Sequence, residues 1–323
     1  MSRVENFLLG GRHNRSTIHV GLVNNMPDAD MRATELQFAK LLKESAGALD
    51  VRLRLFSLRG IARGEQARSR MDGFYDDAAF LHAANIDALI ITGAPDTGSG
   101  TKAQAWWPEL TQLIDWAETG TLSTLFSGQA AEAGVLHLDG IKARPLGRKL
   151  SGVFPAMRVE DDPLFFSQTL TVPVPHGRSH EIAESDLSLH GYRVLSRLAS
   201  GQVDIFTREP AGQSRFVFLQ GHPEYDRTTL AREYLRDLER FHAGNLAAAP
   251  AMPENYFDRA TENRLGEAGA DLARISEIVT GALTLQSWRL HTGRLFSNWL
   301  TLVAAAKARR TSSRNVHTRK RAS

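Results

Sequence analysis

At 323 residues, with 42% hydrophobic and 23% charged residues, the chain has an ordinary globular composition, enough for one large α/β domain or two smaller ones. No apolar run approaches the roughly 18 to 20 residues of a membrane span, and Met1-Ser2-Arg3-Val4-Glu5-Asn6 lacks the layout of a signal peptide, so a cytoplasmic location is expected. Cysteine is absent, which excludes disulfides, thiolate metal sites and every thiol-based mechanism.

In chain order, Ile18 to Val23 reads as a strand, Thr34 to Leu42 as a helix and Val51 to Leu58 as a second strand. Ala88 to Thr92 is a third, followed by a helix from about Ala103 to Glu118. Thr124 to Ser127 then leads into another helix. Strand and helix alternating in this way predict a mostly parallel sheet flanked by helices. Gly93-Ala94-Pro95 breaks its strand at the carboxyl edge of that sheet, where such folds bind ligands.

The second half reads differently. Leu170 to Val174 and Arg215 to Leu219 look like strands separated by turn-rich polar segments, and Thr228 to Phe241 is an amphipathic helix. Arg264 to Leu285 is helical, an added hairpin or part of a subunit contact, and Leu295 to Ala306 forms a last helix. Without repeats or a linker, residues 1–306 are expected to make a single domain. Beyond them, residues 307–323 carry seven basic residues and no acid, so that 32 of the 39 basic residues face all 36 acidic ones in the body. The body is therefore not basic, nucleic acid is not an expected partner, and the tail reads as a disordered, solvated end.

An apolar run, Phe216 to Leu219, ends on Gln220-Gly221-His222-Pro223-Glu224. A histidine and a glutamate two positions apart can form a general base and its orienting carboxylate, with neutral His222 favoured near neutral pH, although an isolated His-Pro-Glu is also an ordinary strand-end turn. His176 and His180 are four apart but lack a third partner, so no metal site is expected.

Several segments, in order, resemble the homoserine O-acyltransferase family, which comprises homoserine O-succinyltransferases and their acetyl-using relatives. They are Gly21-Leu22-Val23-Asn24-Asn25-Met26-Pro27, Thr34-Glu35-Leu36-Gln37-Phe38, Leu89-Ile90-Ile91-Thr92-Gly93-Ala94-Pro95, Lys149-Leu150-Ser151-Gly152-Val153-Phe154, Gly221-His222-Pro223-Glu224-Tyr225-Asp226, Asn255-Tyr256-Phe257 and Phe296-Ser297-Asn298-Trp299-Leu300. The resemblance implies an α/β fold of the class I glutamine amidotransferase type (flavodoxin-like), with added C-terminal helices. It also implies acyl transfer from succinyl- or acetyl-coenzyme A to the hydroxyl of homoserine or a similar small amino acid, in methionine or related sulfur amino-acid biosynthesis. Acyl-coenzyme A would be a co-substrate with no bound cofactor, and a homodimer is expected.

In that family a cysteine at a strand-to-helix elbow carries the acyl group. Here the matching position is Gly128. Three readings follow. Ser127 could serve as a displaced nucleophile, a doubtful substitute because neighbouring side chains on a strand point to opposite faces. The acceptor hydroxyl could attack acyl-coenzyme A directly with His222 as base. Or the site could have lost turnover, leaving a noncatalytic protein that binds an amino acid or acyl-coenzyme A as a regulator or partner subunit. Glutamine amidotransfer is disfavoured, since it needs the missing thiol.

The resemblance assigns His222 as base and Glu224 as its carboxylate, and places Lys149 and Arg236 at the amino-acid substrate, Arg236 on its carboxylate. Gly177 stands where the family has a serine that helps choose the acceptor, and Thr97 stands where the residue linked to acyl-donor choice is glycine or glutamate. The stretch Asp28-Ala29-Asp30 replaces basic residues and is two residues longer, and an acidic loop there is expected to repel an anionic acyl donor.

Overall fold

A computed structural model describes residues 7–8, 17–94, 100–282, 284 and 286–321, the side chains of 7–8 and 313–321 excepted. Thr97 therefore lies outside the described residues. The elements run β1 (Phe7–Leu8), β2 (Ile18–Val23), α1 (Asp28–Ser45), β3 (Val51–Ser57), α2 (Glu65–Met71), β4 (Tyr75–Asp77), β5 (Ala88–Ile91), α3 (Trp107–Gly120), β6 (Ser123–Ser127) and α4 (Gln129–Leu138). They continue with β7 (Arg144–Arg158), β8 (Thr171–Glu181), α5 (Glu184–Leu189), β9 (Arg193–Leu198), β10 (Val203–Arg208), β11 (Arg215–Leu219), α6 (Thr229–His242), α7 (Arg259–Ala268), α8 (Leu272–Gly281) and α9 (Arg289–Arg321).

Among the described residues the strands form one mixed sheet in the order β1-β3-β2-β5-β6-β11-β10-β9-β7-β8, with β4 beside β3. The expected parallel part is its central half: β4, β3, β2, β5, β6 and β11 are parallel neighbours. Its inner strands β5, β6 and β11 are buried on both faces, as β6 shows with all five residues buried, because helices cover each side. From β11 onward the pairing turns antiparallel through β10, β9, β7 and β8. Of the long β7–β8 hairpin only the start of β8, read as a strand over Leu170 to Val174, was legible beforehand; β7 was not. The sequence of β7 lacks the short apolar-rich run that marked the central strands, since much of it is exposed or half-buried.

The C-terminal helices do more than cover the core. Helices α7 and α8 are capped by Asp258 and Asp271 side chains accepting from Thr261 and Arg274 amides, and with α6 they enclose a core containing Tyr225, Leu230, Ile275, Ile278 and Trp288. Trp288 Nε1 and Gln286 Nε2 each donate to the Tyr225 carbonyl at 2.9 Å, and Thr292 Oγ1 donates to the Pro223 carbonyl at 3.1 Å. The segment leading into α9, together with Thr292 of α9, thereby clamps the turn that carries His222 and Glu224.

Helix α9 lays Phe296, Trp299, Leu300 and Val303 into the opposite sheet-facing core, each buried side chain of this size worth about 1.5 to 3 kcal/mol. It extends through the segment expected to be a solvated tail, with helical backbone to Arg321. Lys307, counted with that tail, is anchored to the body: its ammonium donates to Asp87 Oδ2 at 2.6 Å and to the Thr17 carbonyl at 2.7 Å. Among the described residues no helix is long and apolar enough to cross a membrane.

Candidate active site

Strands β6 and β11 are parallel neighbours, paired from Arg215↔Ser123 to Leu219↔Ser127, so their carboxyl ends finish side by side. The elbow after β6 has not shifted. Gly128 is its apex, with φ 59° and ψ −124°, and it precedes the first residue of α4. Only glycine adopts that backbone without strain. A Cβ at this position would lie 2.5 Å from His222 Cε1 and 3.0 Å from His222 Nε2. The imidazole therefore stands against the backbone where a side chain at the elbow would begin.

His222 is fixed from several sides. Its amide donates to the Pro175 carbonyl of β8 at 2.8 Å, and its ring stacks on Tyr225 with centroids 4.4 Å apart and planes 12° from parallel. Its Nδ1 is 2.9 Å from Glu224 Oε1. A carboxylate partner assigns the proton to Nδ1 and leaves the Nε2 lone pair toward the elbow. Burial works against the charged ring, but the Glu224 carboxylate, by charge and by hydrogen bond, outweighs it with help from Glu233, so the pKa is held above the ordinary histidine range. Neutral His222 at neutral pH, expected from the sequence, is thus less favoured than an unpartnered histidine would be.

Ser127 points to the other side of the pair. Its Oγ donates to Glu224 Oε1 at 2.9 Å and is buried. In this geometry it holds the carboxylate; the alternation of side chains on β6 keeps it on Glu224 while the elbow position faces His222. Glu224 itself is 4% exposed, so a buried carboxylate receives two donors on one oxygen.

A second group of charges adjoins the pair. Tyr225 donates its hydroxyl to Glu233 Oε1 at 2.5 Å. Lys149, reaching over from β7, donates to Asp237 Oδ2 at 2.8 Å and to Glu233 Oε2 at 3.4 Å. Gly177 on β8 lies against Glu233: a Cβ there would be 2.6 Å from Glu233 Oε2, so a larger residue would oblige that carboxylate to shift. Arg236 is paired with Asp30 at 2.6 Å. The structure thus gathers Lys149, Gly177, His222, Glu224 and Arg236 from β7, β8, the turn after β11, and α6.

Three participants were given no role from the sequence, Tyr225, Glu233 and Asp237, while Asp30 was read only as part of an acidic loop and not as the partner of Arg236. Glu233 and Asp237 are four apart on α6 and so share one helix face, a signal that was available. Asp28 and Asp30 form the first turn of α1, and both have partners. Asp28 accepts from the Gly64 amide at 2.8 Å and from Arg63 at 3.1 Å. Their charges are engaged within the chain, which weakens the expected repulsion of an anionic donor. His176 is fully buried beside Asp204 at 3.4 Å, and no group of three or more metal-binding side chains occurs among the described residues.

The carboxyl edge of the parallel half of a mixed α/β sheet thus sets a glycine elbow against a carboxylate-held histidine, an arrangement that offers a general base and no side chain at the elbow. The chain belongs to the homoserine O-succinyltransferase family, whose description matches residues 10–309. It is similar to the homoserine O-succinyltransferase of Rhodopseudomonas palustris, 43% identical over 297 residues, covering 89% of each chain. The enzyme of the same name from Methylorubrum extorquens is 43% identical, covering 89% of this chain and 87% of the relative. That of Bradyrhizobium japonicum is 40% identical over 305 residues, covering 91% and 93%. Among solved structures, a glutamine amido transferase from Methylobacillus flagellatus aligns with TM-score 0.49 and 12% identity over 90% of this chain and 96% of that one. That likeness is too distant to add to what the strand order shows.

Proposed function

We propose that the chain transfers an acyl group, succinyl or acetyl, from acyl-coenzyme A to the hydroxyl of homoserine or a similar small amino acid, with no acyl-enzyme. The observation that carries this is the Nδ1 contact of His222 with Glu224 at 2.9 Å, which leaves Nε2 as the basic nitrogen beside the elbow. An acceptor hydroxyl placed there gives its proton to Nε2 as its oxygen attacks the thioester carbonyl. The tetrahedral adduct then breaks the carbon–sulfur bond, and the departing thiolate takes the proton back from Nε2. Products are the O-acyl amino acid and free coenzyme A. Base catalysis of this kind supplies roughly 10² to 10⁴ in rate, and holding both substrates together adds to it. Lys149 and Arg236 are the cations available to the acceptor's carboxylate and to the oxyanion.

A noncatalytic member that binds an amino acid or acyl-coenzyme A is the competing reading. It is favoured by the pairing of both cations with acids, Lys149 with Asp237 and Arg236 with Asp30. Release of free thiol from succinyl- and acetyl-coenzyme A, with homoserine and a panel of hydroxy amino acids, separates the two. Acceptor-dependent release that His222→Ala abolishes is the expected result. Absence of release with every donor, while homoserine still binds, establishes the noncatalytic reading.

A further inference from the structure

The acceptor-side cluster holds two cations whose attachments differ. Lys149 is held by Asp237 and Glu233, whose side chains are 12% and 13% exposed. Arg236 instead donates to one carboxylate, Asp30, which arrives from the first turn of α1, 206 residues earlier in the chain. Both members of this pair meet solvent, at 43% and 32% side-chain exposure. An exposed ion pair is worth about 0 to 1 kcal/mol, so an entering anion can separate it. Asp30 makes no other side-chain hydrogen bond among the described residues.

The pair belongs to the reaction site. Glu233 acts electrostatically on both His222 and Arg236, and Asp30 acts on Tyr225, whose ring stacks on His222. Four acids, Asp30, Glu224, Glu233 and Asp237, face Lys149, Arg236 and, 3.6 Å from Asp237, the i,i+3 Arg240, so the cluster is net negative when His222 is neutral. An amino-acid carboxylate entering it needs a cation whose internal partner can leave, and Arg236 is the one so placed. Its planar fork takes one carboxylate in bidentate fashion.

We propose that Asp30 is a specificity-determining residue that stands in for the acceptor's carboxylate: it occupies Arg236 in the empty site, and an acceptor must displace it to bind. The inference rests on the acyl-transfer reading for the identity of the acceptor, and its test reads binding apart from turnover. A hydroxy amine without a carboxylate does not compete for Arg236 and is indifferent to Asp30. A carboxylate-bearing acceptor binds against it.

The experiment is calorimetric titration of homoserine and of 3-amino-1-propanol, without acyl-coenzyme A, into the full chain and its Asp30→Asn and Asp30→Ser variants, followed by KM and kcat where turnover occurs. Both variants are expected to lower the homoserine Kd and KM by about two- to fivefold, the range of one exposed ion pair, with kcat unchanged and 3-amino-1-propanol unaffected. The gain is expected to vanish in Arg236→Ala. An unchanged or higher homoserine Kd in both variants overturns the proposal, a higher one showing that Asp30 contacts the acceptor's ammonium. Failure of homoserine to bind any of these proteins overturns it too. Binding with the expected shift but no turnover overturns the acyl-transfer reading and leaves the role of Asp30 standing.

Discussion

The His222–Glu224 pair and the Lys149–Glu233–Arg236 cluster adjoin each other but are built in opposite ways. The first comes from residues two apart on one turn, is largely buried, and is clamped through the Tyr225 and Pro223 carbonyls by Trp288 and by Thr292 of α9. The second is drawn from β7, α6 and the start of α1, and its outer pair reaches solvent. Where water is excluded, one hydrogen-bonded carboxylate is enough to set the protonation of a base. Where water remains, charges are worth little singly and exchange partners easily. The buried pair is thus suited to chemistry and the half-exposed cluster to choosing a substrate.

Substitutions that test this contrast rank by how deep they cut into the buried pair. His222→Ala is expected to lower kcat by roughly 10² to 10⁴ while acceptor binding measured by titration is kept. A comparable loss of affinity would erase the division between chemistry and selection. Gly128→Ala comes next, since its Cβ would lie 2.5 Å from His222 Cε1 and its φ is +59°. It is expected to destabilise the fold by about 1 to 3 kcal/mol in denaturant unfolding and to push the imidazole off its stack on Tyr225. For the same reason Gly128→Cys is expected to give no acyl-enzyme by intact-protein mass spectrometry; a stoichiometric acyl adduct would show that the ring readily makes room.

Glu224→Gln acts on the same base through charge. In the wild type the carboxylate holds the imidazolium, so the fraction of competent neutral base, and with it kcat, rises as pH increases through the raised His222 pKa. Removing that charge lowers the pKa, and the rising limb of the pH–kcat profile is expected at lower pH with a smaller plateau. An unmoved limb would mean that another group sets it.

Ser127→Ala is the mildest of the series. Losing one donor to Glu224 is worth about 0.5 to 1.5 kcal/mol, hence a decrease in kcat of roughly two- to tenfold, whereas a nucleophilic serine would take essentially all turnover with it.

The central parallel strands were legible because their burial leaves short runs rich in apolar and β-branched residues bounded by turn signals, and β11 was read to its end residues. His222 and Glu224 were legible as a candidate pair because their partnership is local in sequence. Strand β7 was not, since a half-exposed antiparallel ribbon carries a weak pattern. Ser127 illustrates an intermediate case: strand alternation argued that it would face away from the base, but nothing in the sequence placed it on Glu224.

By itself the sequence determined the absence of a thiol, glycine at the elbow, the His-Pro-Glu turn and the family to which these belong, because each is a matter of residue identity and short spacing. Only the tertiary structure decided that His222 stands against the elbow backbone, that Gly177 lies beside Glu233, and that Asp30 reaches Arg236 across 206 residues. Those are facts of long-range packing and of which charges share a solvent-poor space, and local pattern carries no information about either.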